Sequence, residues 1–323
     1  MRGASSPRIR RACLVVGVLA LVGVGVVQVL RPAASRMGLG SDATYRLRIL
    51  TWNVGRVFLP MDSLATESRA SDEDLGHIAR VVEETAPDVV ALQELRGPLQ
   101  LEGLVTLLGG TYEGRVPEEE SYDRVVAVMA RRPQGGDTLG YRTLVTSTGR
   151  ATVGVSVPLG NLQRAFVVSV HLDAFSRERR RTQAEELVDW ASRQPESEVF
   201  LCGDFNLDWE MLERHAEEHP DLQTYRILTG RFEDLGRSAG QTTFLGRRLD
   251  YIFARTSGVK AREVRVLAAK RRALMDHDPV VATFEVKRPE GMSSLAQRKS
   301  LRDAGAIPSS APSRPLTLKD ASQ

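Results

Sequence analysis

Eight polar residues scattered through the chain are of types that handle protons, hard cations and phosphate: Asn53, Glu94, His171, Asp204, Asn206, Asp250, Asp276 and His277. Each closes or introduces an apolar run. They stand in TWN (51–53), LQE (92–94), SVHLD (169–173), GDFN (203–206), LDYIF (249–253) and MDHDPVV (275–281). Taken singly such residues say little, because a carboxylate at a strand end is commonly a loop cap. Together they are more specific. Oxygen donors suit Mg²⁺, Mn²⁺ or Ca²⁺. Histidines beside several acids supply proton transfer near neutral pH. The combination fits hydrolysis of a phosphate ester, in which a cation neutralises phosphoryl oxygens, a carboxylate activates water and an imidazole assists the departing oxygen. Cys13 and Cys202 are the only cysteines, which excludes a disulfide framework and a cysteine zinc site.

Such a group needs a rigid frame, and the intervening text reads as one. Strands are expected at 47–52, 88–94, 123–130, 151–157, 164–171, 198–202, 249–254, 261–267 and 279–286. Helices are expected at 71–86, 177–192 and 208–219. In the first helix Leu75, Ile78, Ala79 and Val82 recur at helical spacing, and Pro87 ends it. Strands outnumber helices, and the Pro-Leu-Gly-Asn turn at 158–161 implies a hairpin. The pattern suggests two layered sheets covered by helices.

Of the 323 residues, 42% are hydrophobic and 26% charged, a globular composition. The net charge of +3 is segregated. Residues 1–40 carry six Arg and no acid, and 288–323 carry six bases and three acids. Residues 41–287 therefore have a net charge of −6, which argues against a strongly cationic nucleic-acid-wrapping domain but not against a local basic patch. Residues 12–30 are apolar apart from Gln28 and follow four arginines. At ~1.5 Å per residue they would reach about 28 Å, close to the hydrocarbon core of a bilayer. The reading is a basic segment at 1–11, a transmembrane anchor at 12–30, a linker at 31–45, a catalytic domain at 46–287 and a disordered tail at 288–323. The anchor would hold the domain outside the cytoplasm. A cleaved signal peptide with a secreted product is the alternative.

The ordered series TWN, LQE, HL (171–172), Arg180 with Gln183, GDFN, TTF (242–244) with LDYIF, and DH (276–277) resembles the endonuclease/exonuclease/phosphatase, or DNase I-like, superfamily. The resemblance spans about 46–286. It implies an α/β four-layer sandwich, with two mixed β-sheets face to face, helices outside and the site at one rim. It implies Glu94 as the principal metal ligand, with Asn53 beside it and Asp276 as a second metal or water contact. Asp204 would align or deprotonate the attacking water. Asn206 would orient the phosphate, His277 would face the phosphoryl oxygens, and Asp250 would orient His277. His171 matches a histidine used as acid or phosphate contact in some branches. Two features depart from the abasic-site endonuclease branch: Gly55 stands where that branch carries an acid, and His171 is present. Met275 replaces the family's usual serine.

For substrate contacts the candidates are Arg180, Asn206, Lys270, Arg271 and Arg272. His215 and His219, four apart, read as a solvated helix face rather than a metal pair. The expected activity is divalent-metal-dependent phosphoester hydrolysis, a phosphodiester before a monoester. A nucleic-acid substrate is slightly favoured over a phospholipid or sphingolipid. No obligate protein partner is inferred, and the membrane would be met through 12–30. The alternative function is a non-catalytic phosphate-binding module of the same fold.

Overall fold

The computed structural model describes residues 44–55, 72–117, 125–133, 137–159, 163–208, 212, 219–257, 259–271 and 275–287. The expected anchor, linker start and tail lie outside these residues, as does most of the helix expected at 208–219. Among the described residues no helix is long and apolar enough to cross a membrane.

The chain begins with β1 (Thr44–Asn53), α1 (Asp72–Thr85), β2 (Val89–Leu95), α2 (Pro98–Leu107), β3 (Tyr112–Arg115) and β4 (Val125–Arg131). It continues through β5 (Gly140–Val145), β6 (Ala151–Leu159), β7 (Gln163–His171), α3 (Arg177–Ser192) and β8 (Glu198–Asp204). Then come α4 (Pro220–Thr229), β9 (Glu233–Asp234), β10 (Asp250–Arg255), β11 (Val259–Val266), a short 3₁₀ turn (Ala268–Lys270) and β12 (Val280–Lys287). Two six-stranded mixed sheets result. One has the order β11-β12-β1-β2-β4-β3, the other β5-β6-β7-β8-β10-β9.

Strand alternation sorts the side chains into layers. Ile49 faces inward and packs with Val89, Ala91, Val155, Val167 and Cys202 between the sheets. Its neighbours Leu50 and Trp52 face outward, where they meet Leu75, Ile78 and Val82 of α1. On the other sheet, Val168 and Leu201 face outward to Ala184, Leu187 and Val188 of α3. This is the four-layer α/β sandwich expected from the sequence. Phe200 and Phe284, one from each sheet, meet in the middle layer with ring centroids 4.8 Å apart. A polar link also joins the sheets. Gln93 Nε2 donates to Ser169 Oγ at 3.0 Å, and that hydroxyl donates to Leu92 O at 2.9 Å.

Each sheet contains one parallel pair built by a strand-helix-strand unit, β1-α1-β2 and β7-α3-β8. The carboxyl ends of parallel strands are where such folds open crevices. The registers matter there: Asn53 lies opposite Gln93, His171 opposite Asp204, and Asp204 opposite Asp250 of antiparallel β10.

All nine expected strands and the two helices at 71–86 and 177–192 are present. The sequence reading lacked α2, β3, β5, α4 and the two-residue β9. β3 and β5 are half-exposed strands at the sheet edges, with little alternation to detect. Trp52 and Cys202 are fully buried.

Candidate active site

The site begins with irregular backbone. β2 slips register between Leu92 and Leu95, and Glu94 sits at φ 64°. A left-handed conformation in a non-glycine residue costs roughly 1–2 kcal/mol. It turns the Glu94 side chain out of the strand alternation toward the rim. Gly55 makes room: a Cβ there would lie 2.0 Å from Glu94 Oε2. At the other parallel pair Gly203 has φ 150°, and a Cβ would lie 1.9 Å from Val170 O. The glycine of GDFN thus lets β8 close on β7 and bring Asp204 beside His171.

Side chains from five strand ends and one loop then converge. Asn53 Nδ2 donates to Glu94 Oε1 at 3.3 Å and to Asp204 Oδ2 at 3.1 Å. His171 Nε2 lies 3.5 Å from Asp204 Oδ2 and 3.8 Å from Glu94 Oε1. His277 Nε2 lies 3.6 Å from the same Asp204 oxygen, and its Nδ1 is 2.7 Å from Asp250 Oδ2. All six side chains are buried. Four of them, Glu94, His171, Asp204 and His277, line the floor of a cleft of about 770 Å³, with Asn206 and Asp276 also on its lining.

Neighbouring groups hold these positions. Trp52 Nε1 donates to His277 O at 3.1 Å. Thr243 forms an isolated bridge with His277, and Thr242 Oγ1 accepts from the backbone N–H of Asp250 at 3.1 Å. The TTF segment therefore aligns both the imidazole and its carboxylate. Asn206 N donates to Asp204 Oδ1 at 2.9 Å, while Asn206 Nδ2 donates to Leu172 O at 3.0 Å. One amide hydrogen of Asn206 is thus already used, and its φ of 53° aims the rest of the side chain. Met275 is buried against the α1 layer.

Burial sets the electrostatics. Asp204 is pushed up to about 7, first by desolvation and then by Asp250, against the pull of His277. For His277 desolvation acts downward, but Asp250 and Asp204 outweigh it and raise the ring to about 10. The floor thus favours a protonated imidazole between two acids.

The residues suit a resident divalent cation. Two buried carboxylates, Glu94 and Asp204, share the neutral donor Asn53 Nδ2, and the space at Gly55 flanks Glu94 Oε2. That oxygen-rich, cysteine-free set matches a hard cation. Asp204, Asp250 and His277 also offer ligand atoms within 4.8 Å of one another. That trio is the weaker candidate, because His277 Nδ1 is committed to Asp250, which lies wholly buried beneath the ring.

The described residues expected to contact substrate are engaged within the protein. Arg180 grips Asp221 through the Nε and Nη2 edge of its guanidinium, at 2.9–3.0 Å, and Nη1 donates to Asp173 O at 2.6 Å. It is buried in the cleft wall. Lys270 pairs with Glu84 of α1, and Arg271 pairs with Asp278 at 3.3 Å and covers the Phe244 ring. Neither is on the cleft lining, Lys270 being held toward α1 and Arg271 toward Asp278 and Phe244; Arg272 lies outside the described residues. His219 is no solvated helix face. It caps α4, accepting from Asp221 N on Nδ1 at 3.3 Å, whereas His215 lies outside the described residues. Sequence reasoning missed Asp221, the Trp52 indole contact and the role of Gly55. Only proximity to the TWN motif singled out the last two.

Among solved structures the chain is similar to an endonuclease/exonuclease/phosphatase from Bacteroides vulgatus, at 18% identity and TM-score 0.57 over 75% of this chain and 99% of that one. It is similar to the human Nocturnin catalytic domain with bound sulfate, at 16% and 0.54 over 74% and 93%. It is also similar to a mannosyl-6-phosphatase from Bacteroides thetaiotaomicron, at 16% and 0.55 over 74% and 99%. No curated protein matches the chain in sequence. A profile of the Endonuclease/Exonuclease/phosphatase family matches residues 50–272, from within β1 to the turn before β12. That stretch carries the second sheet, most of the first apart from β12 and the start of β1, and five of the six converging side chains, all but His277, and the chain belongs to this family of phosphoesterases.

Proposed function

We propose that the protein hydrolyses a phosphodiester with the help of a divalent cation, Mg²⁺ or else Mn²⁺ or Ca²⁺, and that a nucleic-acid strand is its preferred substrate. The observation that carries this reading is the meeting of Asn53, His171 and His277 on one oxygen of Asp204, with Glu94 alongside. Asp204 is aligned by Asn53 and the Asn206 backbone, and burial gives it the basicity to accept a proton from the attacking water near neutral pH. His277 is held protonated by Asp250 and presents Nε2–H to a phosphoryl oxygen. His171 presents a second ring nitrogen from the opposite strand end. Glu94 and Asn53, with Asp276 on the same cleft lining, would hold the cation, which supplies charge neutralisation for the phosphoryl oxygens. The filled set of acid and imidazole positions favours an enzyme over a non-catalytic module. The acidic middle of the chain and the monoester chemistry of the mannosyl-6-phosphatase neighbour make substrate choice the open arm of the test.

The full chain incubated with bis-p-nitrophenyl phosphate and Mg²⁺ should release p-nitrophenol. EDTA should abolish turnover, and Glu94→Gln should lower kcat/KM by about a hundredfold or more. Absence of turnover with Mg²⁺, Mn²⁺ and Ca²⁺ alike would overturn the hydrolase reading. DNA, RNA, sphingomyelin and a sugar monophosphate offered in parallel rank the substrates. On sequence alone, we further propose that residues 12–30 anchor the domain outside the cytoplasm. A reporter fused at the C-terminus that works only in the cytoplasm would reverse that orientation.

A further inference from the structure

We propose that the cleft carries a second anion subsite, formed by Arg150, Arg177 and His219, which holds a phosphate of the substrate other than the one being hydrolysed. The inference rests on the phosphoester reading and narrows it to substrates with more than one phosphate. The acids of the cleft gather around Asp204, but its bases gather around Asp221, at the N-terminus of α4. Asp221 is already neutralised by the bidentate grip of Arg180. Arg177, at the first position of α3, adds a second guanidinium. Its Nε stays 3.9 Å from Asp221 Oδ2, outside hydrogen-bond reach, and its side chain is 54% exposed. Two guanidinium groups against one carboxylate leave a surplus positive charge. Arg150 adds to it from the turn before β6, facing Asp173, whose carboxylate is also shared with Arg179. By contrast, Arg247 elsewhere on the lining is matched by Asp208 at 2.8 Å.

His219 supplies an independent observation. Its side chain is nine-tenths buried in the same wall, and Nδ1 lies 3.8 Å from the Asp221 oxygen that Arg177 approaches. Because Nδ1 accepts from Asp221 N, the neutral ring carries its proton on Nε2. That Nε2 is buried and has no hydrogen-bond partner. A buried donor normally finds an acceptor, and a phosphate oxygen in this arm of the cleft is one. The positive end of the α3 dipole, where Arg177 stands on the cleft lining, favours the same charge. Phe175, also on the cleft lining, is 87% exposed and offers a face on which a base can stack.

A strand of nucleic acid carries a second phosphate at every step, whereas sphingomyelin carries one phosphate and a cationic head. The test measures binding of thymidine 3′,5′-bisphosphate, thymidine 3′-monophosphate and thymidine 5′-monophosphate to the full chain with Mg²⁺, on an Asp204→Asn background that suppresses turnover. The bisphosphate should bind at least about tenfold more tightly than either monophosphate. Arg177→Gln and Arg150→Gln, both on partly exposed side chains, should each shrink that gap, and the double variant should bring it near parity. His219→Gln should do the same if it folds. Equal affinities in the parent, or a gap unchanged in the double arginine variant, would overturn the subsite. The hydrolase reading stands or falls separately on diester turnover. Turnover without a bisphosphate preference sinks only the subsite, and a bisphosphate preference without turnover sinks only the hydrolase.

Discussion

Oε2 of Glu94 occupies the volume that a Cβ of residue 55 would need, the two positions being 2.0 Å apart. Glycine at 55 is therefore a requirement of the Glu94 rotamer. The backbone at 55 is not left-handed, so alanine adds a clash and no φ strain. Gly55→Ala should lower kcat/KM for a diester by about a hundredfold, since a misplaced ligand of this kind acts through charge placement. The circular-dichroism spectrum should be unchanged. Full activity in Gly55→Ala would show that Glu94 can serve from another position.

His277 and Asp250 are 27 residues apart in sequence and 2.7 Å apart in the fold. Asp250→Asn keeps the shape but removes the charge that fixes the ring and its protonation. A loss of about 10²–10⁴ in kcat is expected, the usual range for disabling one acid–base group. The His277 ring resonance, followed by NMR, should titrate at lower pH than in the parent. An unshifted titration would mean that Asp204 alone holds the proton.

Stability should fall as pH rises, with EDTA present. Asp204 is raised from 3.8 to about 7, so from pH 4 to 7 the folded state binds a proton that the unfolded chain has released. His277 is raised from 6.5 to about 10, so its stabilising contribution is complete below pH 6.5 and is lost as pH climbs toward 10. In both windows the native state holds more protons, and unfolding free energy declines with pH. Thermal midpoints between pH 5 and 9 test this. Asp204→Asn should flatten the lower part of the slope and Asp250→Asn the upper part. Midpoints that rise with pH would contradict the assignment.

Arg180 and Asp221 are each about 95% buried and doubly bonded. Arg180→Ala leaves a buried carboxylate with reduced compensation and should destabilise the fold by about 3–5 kcal/mol. Arg180→Met combined with Asp221→Leu should recover much of that loss in a denaturant titration. A stable Arg180→Ala variant with weakened substrate binding would instead restore arginine 180 as a substrate contact.

The strand text was legible because burial imposes it. Runs such as DVVALQE and EVFLC lie in the centre of sheets, where both faces are covered, and α1 and α3 carry apolar faces at helical spacing. The edge strands β3 and β5 and the helix α2 left weaker marks, since half-exposed positions accept many residue types. The chemistry-bearing residues were legible by type and by their place at strand ends. The basic contacts were not: Arg180, Lys270 and Arg271 look alike in sequence, but their roles depend on whether Asp221, Glu84 or Asp278 stands within reach.

By itself the sequence determined which residues could do chemistry and that alternating strands and helices would carry them, because side-chain type and hydrophobic period are local properties of the chain. Only the tertiary structure decided that Asp204 Oδ2 is the point on which Asn53, His171 and His277 converge, and that two arginines meet one carboxylate at the start of α4. Distances of a few ångströms between residues tens to hundreds of positions apart follow from strand register and from layers packing against each other, and neither is written in any one segment.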